Sequence, residues 1–245
     1  MSGPNRVLVI GGTGGIGAAV ARLVVTAGGC VFLAGRDAGR LATLGAELAM
    51  PCGTVDASDP DAVDACADVA AESLGGLDGI VNCAGSLLLK PAHLTTTAEW
   101  QATLAANLSS AFGCVRAAGR LLKASGGSVV LVSSAAARVG LANHEAIAAA
   151  KAGVIGLVLS AAATYAKSRI RFNAVAPGLV RTPLTQGLVA SELAEKASVG
   201  MHPLGRLGEP GDVARAIVFL LDPAQGWITG QVLGVDGGLA DLRGR

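Results

Sequence analysis

A glycine-rich segment near the amino terminus constrains the fold of this chain more than any other feature. Residues 6–10 form a short apolar run, and Gly11, Gly15 and Gly17 follow it where a helical pattern begins. A strand that turns tightly into a helix presents free backbone N–H groups to an anion, and glycines let a pyrophosphate approach the backbone closely. The segment therefore predicts a strand–turn–helix unit that binds a dinucleotide. A plain structural turn is the alternative, because the chain contains 35 glycines.

Short apolar runs alternate with helical patterns along the rest of the chain. The further runs cover residues 30–34, 79–82, 128–132, 171–175 and 231–235. Runs of this length are typical of strands buried on both faces of a parallel sheet that is covered by helices. The chain is therefore expected to be α/β, with a doubly wound parallel sheet of the Rossmann type. Because no linker-like composition interrupts residues 1–245, a single domain is predicted.

Three helices have recognisable starts. Asp37 can cap one helix, Ser58 with Pro60 can begin another, and Thr95 or Thr96 can begin a third. The apolar faces expected on these helices consist of Leu41, Leu44 and Leu48, then Val63 and Val69, then Trp100, Leu104, Leu108 and Phe112.

Composition limits the possible partners and compartment. Hydrophobic residues make up 51% of the chain, so much of it must be buried, but the uncharged stretch 152–166 is shorter than the roughly 18 residues that a membrane span requires. A buried helix and no membrane partner are expected. The apolar run 7–10 leads directly into the glycine segment, so no signal peptide is expected. The net charge of +1, without a basic run, argues against nucleic acid as a partner.

The cysteines indicate neither a metal site nor a disulfide framework. The chain has five of them, an odd number, and none forms a C-x-x-C pair. A reduced, cytoplasmic compartment is the simplest interpretation, and no metal is expected.

Several motifs recur in an order that identifies a family. After the glycine segment come Asn82-Cys83-Ala84-Gly85, Asn107, Ser133-Ser134, Lys151, Pro177-Gly178 and a carboxyl-terminal Val235-Asp236-Gly237-Gly238. In this order and spacing the motifs resemble the short-chain dehydrogenase/reductase family over nearly the whole chain. The resemblance implies a Rossmann-type fold and a nicotinamide dinucleotide.

The resemblance also assigns the contacts with the cofactor. Besides Lys151 on the ribose and Asp56 on the adenine, the implied contacts are Gly11, Thr13, Gly14, Gly15, Ile16, Gly17, Asn82, Ala84, Gly85, Pro177, Gly178, Val180 and Thr182. The residue after the second strand decides between NAD and NADP, because an acidic side chain there would repel a 2′-phosphate. By resemblance that position is Gly35, and Arg36 follows with a cation for the phosphate. NADP(H) is therefore favoured over NAD(H).

One catalytic position departs from the family pattern. By resemblance Ser134 orients the substrate carbonyl, Asn107 supports a water-linked proton path and Lys151 lowers the pKa of a tyrosine located four residues before it. In this chain that position is Ile147, which can neither donate nor accept a proton. Tyr165, the only tyrosine, lies about 21 Å beyond Lys151 along a continuous helix, which is too far.

His144 is the alternative proton donor. It precedes Lys151 by seven residues, close to two helical turns, and so lies on the same helix face if the helix extends that far. The enoyl reductases of this superfamily place their tyrosine at the same position. The competing interpretation places His144 in a loop where Asn143 caps the helix, with Glu145 in a capping or surface role. His93 and His202 are interpreted as loop residues.

Two functions follow from this pattern. The first is an NADP(H)-dependent oxidoreductase with a non-standard proton donor, acting on a carbonyl, enone or related small apolar substrate. The second is a catalytically silent NADP(H)-binding subunit or redox sensor.

Two further expectations concern assembly and substrate. Residues 152–166 are apolar nearly all round, which leaves apolar surface for contact with another subunit. The resemblance implies tetramers formed through this helix and the C-terminal strand, so a homotetramer is expected, with a dimer as the alternative. Residues 183–203 are expected to form a loop and helix that cover the substrate, with an apolar inner face comprising Leu184, Leu188, Val189, Leu193 and Met201.

Overall fold

The computed structural model describes residues 5–242, and within them one parallel sheet organises the chain. Its strand order is β3-β2-β1-β4-β5-β6-β7. The strands are β1 (Arg6–Ile10), β2 (Cys30–Gly35), β3 (Cys52–Thr54), β4 (Gly79–Asn82), β5 (Gly127–Val132), β6 (Ile170–Pro177) and β7 (Val232–Val235). All neighbouring pairs are parallel. The predicted α/β class and doubly wound sheet are confirmed.

Helices cover both faces of the sheet. In the described part of the chain they are α1 (Gly15–Thr26), α2 (Ala38–Leu48), α3 (Pro60–Leu74), α4 (Thr97–Leu104), α5 (Ser110–Leu121), α6 (Glu145–Tyr165), α7 (Glu192–Gly200) and α8 (Pro210–Leu221). A π-helical segment, Ala105–Ser109, joins α4 directly to α5.

Alternate side chains of the strands enter two separate cores. On β1, Val7 and Val9 pack in the core under α1 and α8, whereas Leu8 and Ile10 pack in the core under α3, α5 and α6. Successive side chains of a strand point to opposite faces, so an uninterrupted apolar run fills both cores. This is why the six longer strands could be predicted within one or two residues of their observed ends.

Strand β3 was not predicted. It has three residues, and its Cys52 and Thr54 side chains are exposed around Gly53. As the edge strand, it carries no apolar run that would mark it in the sequence.

The predicted helix starts are partly correct. Asp37 caps α2 by accepting a hydrogen bond from Arg40 N, and Thr96 begins α4 in a capping box with Glu99. For α3 the prediction of Ser58 was wrong, because Asp59 is the capping residue and Pro60 occupies the first helical turn. The carboxylate of Asp59 accepts the Asp61 N–H, a role that the adjacent serine could also have filled.

Two of the predicted apolar faces were wrong in part. Val69 is exposed on α3, because six residues of an α-helix turn it by roughly 240° from the buried Val63. Trp100 and Phe112, the two ends of the face predicted from four-residue spacing, are also exposed. The π-helical segment lies between them and shifts the phase of the helix, so residues before and after it do not share one face.

Helix α6 is the most apolar helix of the described chain. Residues Glu145–Ser168 are long and apolar enough to cross a membrane, with a mean hydropathy of 1.9 over a window that is 44% buried. In this structure the helix packs along β6, and Val154, Val158, Ala161 and Ala162 enter the core. Such packing is typical of the core helix of an α/β domain.

Candidate functional site

The glycine segment and the turn after β4 meet at the carboxyl ends of adjacent strands. Strands β1 and β4 lie side by side at the point where the strand order changes direction, the usual ligand crevice of a doubly wound sheet. Gly11 has a φ of +74°, and a Cβ there would stand 2.6 Å from Ala84 N. Only glycine permits this contact, which brings the two predicted cofactor loops together.

The amino terminus of α1 is open to an anion. Gly14 precedes the helix without a side-chain capping hydrogen bond, and Ala18 N is the first donor bonded to the preceding turn. The N–H groups of Gly15, Ile16 and Gly17 therefore have no protein acceptor among the described residues. A helix start of this kind suits a pyrophosphate.

Residues 177–182, which follow β6, are tethered on several sides. Gly178 N donates to Val235 O, Leu179 N to the ring of His202, and Arg181 N to Gly208 O. Thr182 N donates to the hydroxyl of Thr185. Within the described residues, Val180 N–H is the one backbone donor of this segment without an acceptor.

Val180 is also buried, with 4% of its surface exposed. A buried N–H group without an acceptor is costly in a folded protein unless a ligand supplies the acceptor. The free Val180 N–H therefore fits the nicotinamide contact that was predicted at this position.

Two arginines lie near the glycine segment at the end of β2. Thr13 Oγ1 is 3.5 Å from where a Cβ of Gly35 would lie, and Arg40 donates from Nη2 to Thr13 O. Arg36 is exposed beside them. The sequence interpretation missed Arg40, although Asp37 as the cap of α2 places Arg40 in the first turn of that helix.

Asp56 follows β3 at the same edge. Its Oδ1 accepts hydrogen bonds from both the backbone N and the hydroxyl of Ser58. These bonds, together with the nearby charge of Arg36, hold the pKa of Asp56 below its usual value. The carboxylate is therefore fixed and ionised.

The Asn82 side chain is hydrogen-bonded to the protein at both its nitrogen and its oxygen. Its amide donates to Ser110 Oγ, and its carbonyl oxygen accepts from Ala84 N. Asn82 therefore fixes the turn at residues 82–85 and has a structural reason to be polar although it is buried.

Lys151 is buried close to Asn107 and Gly85. A Cβ on Gly85 would lie 2.7 Å from Asn107 Oδ1 and 3.5 Å from Lys151 Nζ, so the missing side chain makes room for both. Nζ donates to Val132 O at 2.8 Å. Its other two hydrogens have no acceptor among the described residues.

Burial lowers the pKa of Lys151 to about 8, an effect that the neighbouring Cys83 partly opposes. Burial likewise raises the pKa of Cys83 to about 12, so that thiol is protonated at neutral pH. The ammonium of Lys151 thus has no anionic partner to compete with a bound ligand.

Asn107 lies in the π-helical segment. Its amide donates to Ser86 Oγ and Thr103 O, and its Oδ1 accepts from Ser86 N. Such π-helical turns inside α-helices are frequent at functional sites.

The two serines after β5 have different roles. Ser133 is buried and donates to Lys151 O, which ties β5 to α6. Ser134 is partly exposed and accepts from Ala136 N, which leaves its hydroxyl hydrogen free to be donated.

Ile147 and His144 lie at the start of α6. Ile147 is buried one turn before Lys151, whereas His144 is the partly exposed residue immediately before the helix, with a φ of −107° and a ψ of 11°. The helix therefore does not extend through His144, as the shared face with Lys151 would have required. Asn143 does not cap the helix with its side chain and has a φ of +63°. His144 Nδ1 is 2.7 Å from Ala142 O, so Nδ1 carries a hydrogen and Nε2 is the nitrogen left for another partner.

His202 is buried beside residues 177–182, whereas Tyr165 is partly buried at the far end of α6. His202 lies in a loop as predicted but packs against Gly178, while His93 is exposed in the short 3₁₀-helix Ala92–Leu94. The ring of Tyr165 packs on Phe172 at 5.5 Å between centroids. In the described range 5–242 no cluster of His, Cys, Asp or Glu suits a metal ion.

Comparison with known proteins decides the family. Residues 11–240 match a family model described as enoyl-(acyl carrier protein) reductase. The chain is 41% identical over 242 residues to cis-4-hydroxycyclohexanecarboxylate dehydrogenase of Sinomonas cyclohexanicum, covering 96% of each sequence. This chain belongs to the short-chain dehydrogenase/reductase family.

Two further family members agree in length and fold. A 3-oxoacyl-[acyl-carrier-protein] reductase of Thermotoga maritima is 35% identical over 240 residues, which is 95% of this chain and 96% of that protein. A solved structure of a short-chain type dehydrogenase/reductase from Mycobacterium ulcerans has a TM-score of 0.93 at 33% identity and covers 100% of this chain and 93% of that one. Short-chain dehydrogenases/reductases are oxidoreductases that act on hydroxyl or carbonyl groups with NAD(H) or NADP(H).

Proposed function

We propose that this protein is an NADP(H)-dependent oxidoreductase of a small apolar carbonyl or enone, and that His144 supplies the proton. The observation that carries the proposal is Lys151, a buried ammonium with two hydrogens free and no carboxylate nearby. A buried charge of this kind is costly unless a ligand hydrogen-bonds to it. Ribose hydroxyl groups of a dinucleotide would satisfy it, since the open start of α1 fits the pyrophosphate of the same molecule.

A preference for NADP(H) is supported by the charges at the end of β2. Arg40 donates to Thr13 O, Arg36 is exposed directly after β2, and Asp37 Oδ1 accepts from Arg40 N at the cap of α2. A 2′-phosphate bound at the end of β2 would therefore have two guanidinium groups nearby.

When bound, NADPH would supply a hydride to the substrate carbon. Ser134 would donate its free hydroxyl hydrogen to the substrate oxygen and orient it. His144 would transfer the proton from Nε2 of its imidazolium to that oxygen, while Ala142 O holds the Nδ1–H and fixes the orientation of the ring. Neutral His144 would then regain a proton from water at the partly exposed entrance of α6.

The carbonyl or hydroxyl substrate class is supported by the relatives. The Sinomonas cyclohexanicum relative is a dehydrogenase of a ring alcohol that carries a carboxylate. Within residues 183–203, Leu184, Leu193 and Met201 are exposed, which fits the role of a cover for an apolar substrate. A homotetramer acting in the cytoplasm completes the proposal.

The test is single-turnover oxidation of bound NADPH with a panel of ketones, enones and quinones. His144→Ala is expected to slow hydride transfer by roughly 10²–10⁴-fold, the usual contribution of a general acid, with the Kd for NADPH unchanged. Added imidazole is expected to restore part of the rate. His93→Ala, which removes an exposed histidine, is the matched control.

The outcomes separate the competing functions. Equal rates for His144→Ala and the unmodified protein would reject His144 as the donor. NADPH binding without oxidation by any substrate would favour a silent NADP(H)-binding subunit, for which the buried Ile147 is the structural argument.

A further inference from the structure

The ring of His202 is bonded at both nitrogens to two different parts of the site. Its Nε2 accepts the hydrogen bond from Leu179 N at 3.1 Å, and its Nδ1 lies 2.7 Å from Ser198 O in α7. Since Nε2 is an acceptor, Nδ1 carries the hydrogen and donates to Ser198 O. The residue is buried, with 3% of its surface exposed.

We propose that His202 is a positioning residue that holds the nicotinamide segment, residues 177–182, and the cover helix α7 in fixed orientations through separate nitrogens. The inference rests on the proposed function, because it assigns the nicotinamide to Val180 N–H. It extends that function to a residue that contacts neither substrate nor cofactor.

The bond from Leu179 N fixes the peptide immediately before the one that carries the free Val180 N–H. The peptide that joins Gly178 to Leu179 is trans, so its C=O points away from the N–H that His202 accepts. Val180 N–H lies in the next peptide, whose Leu179 O accepts from Gly208 N, so His202 and Gly208 fix the two peptides on either side of the Leu179 Cα. Without His202 the first of these peptides loses its hydrogen bond, and Leu179, with the adjoining Val180 N–H, can shift.

The absence of a side chain at Gly178 leaves room for the ring of His202. A Cβ at residue 178 would stand 2.6 Å from His202 Nε2, far inside contact distance. Gly237 faces His202 from β7's end, with a φ of +62° and a Cβ position 3.5 Å from His202 Cβ. The imidazole therefore fills a space bounded by three separate parts of the chain, which restricts its own rotation.

The bond to Ser198 links the same ring to the cover helix. Ser198 lies in the last turn of α7, and its carbonyl oxygen also accepts the Met201 N–H that ends the helix. Donation from Nδ1 therefore holds the end of α7 at a fixed distance from residues 177–182.

Two conservative variants of His202 distinguish the roles of its two ring nitrogens. A Gln side chain places its oxygen where Nε2 lies and can keep the bond to Leu179, whereas an Asn side chain places its amide near Nδ1 and can keep the bond to Ser198. The variants His202→Gln and His202→Asn are compared by calorimetry with NADPH and with adenosine 2′,5′-bisphosphate, which lacks the nicotinamide half. Steady-state kinetics measure the substrate KM of each variant.

His202→Asn is expected to raise the Kd for NADPH about fivefold to tenfold, the usual effect of one hydrogen bond, and to leave the Kd for adenosine 2′,5′-bisphosphate unchanged. His202→Gln is expected to keep the NADPH Kd and to raise the substrate KM. Thermal unfolding shows whether each variant is folded.

Equal nucleotide affinities in both variants, or parallel losses for both nucleotides, would overturn the inference while leaving the proposed function standing. An unmodified protein that binds neither probe would instead refute the proposed function, and the inference with it. If Asn and Gln both unfold the protein, His202 is a stability residue and the inference is wrong.

Discussion

Gly15 and Thr182 are in direct contact, although they lie on opposite loops of the crevice. A Cβ at Gly15 would stand 2.7 Å from Thr182 Cγ2 and 3.0 Å from Thr182 Cβ. The start of α1 and residues 177–182 are therefore packed against each other.

This contact predicts a paired effect of substitution. Gly15→Ala is expected to weaken NADPH binding about tenfold or more, because the added methyl group forces the two loops apart. Adding Thr182→Ser removes the atom at 2.7 Å, keeps the hydroxyl and is expected to recover part of the affinity. Calorimetry measures both, with Gly140→Ala, which meets no atom within 4 Å, as the control. Normal NADPH affinity of Gly15→Ala would contradict the prediction.

The comparison of sequence and structure shows which features local patterns can predict. Six strands could be predicted because their side chains fill two cores, and the motifs then placed the glycine segment and Lys151 in one crevice. The contact of Gly15 with Thr182 could not be predicted, because no local sequence pattern reports a packing distance between residues far apart in sequence. The π-helical segment was missed for a different reason. A π-helical turn differs from an α-helical turn by one extra residue, and this does not change the amino-acid composition of the helix.

The two arginines near the end of β2 show the same limit of local sequence patterns. Arg36 was predicted from its position after β2, whereas Arg40 becomes relevant only when α2 places it over Thr13. His202 gave no signal in sequence, since its partners Leu179 and Ser198 come from separate elements.

Arg40 is predicted to contribute to the choice of nucleotide. Arg36→Ala and Arg40→Ala are each expected to raise the Kd for NADPH about tenfold, since a charge-assisted hydrogen bond to a phosphate is lost, with little change for NADH. The control is Arg22→Ala, which breaks the exposed ion pair between Arg22 on α1 and Glu47 on α2. Equal losses for NADPH and NADH would show that neither arginine reads the 2′-phosphate.

Lys151 predicts a pH dependence of nucleotide binding. Its pKa is lowered to about 8 by burial, so the ammonium is charged below that pH and loses its proton as the pH rises through it. The affinity for NADP⁺ is therefore expected to be constant below about pH 7 and to fall above pH 8, by up to tenfold per unit. Calorimetry between pH 6.5 and 9.5 measures this.

The matched variant for this effect is Lys151→Arg. A guanidinium stays protonated over the whole range, so its NADP⁺ affinity is expected to show no decline above pH 8. The same decline in this variant would assign the pH dependence to another group.

The exposed face of α6 predicts the assembly. Leu159 is 53% exposed on this face, where Ala152, Gly156 and Ser160 are also exposed, so a second copy of the helix could approach closely. Leu159→Glu is expected to reduce the mass measured by light scattering from a tetramer to a dimer or monomer, because burying the new carboxylate costs more than the contact gains. Val69→Glu is the control, since Val69 is 52% exposed on α3, away from this face. An unmodified protein that is monomeric at micromolar concentration, or equal masses for the two variants, would exclude α6 as the interface.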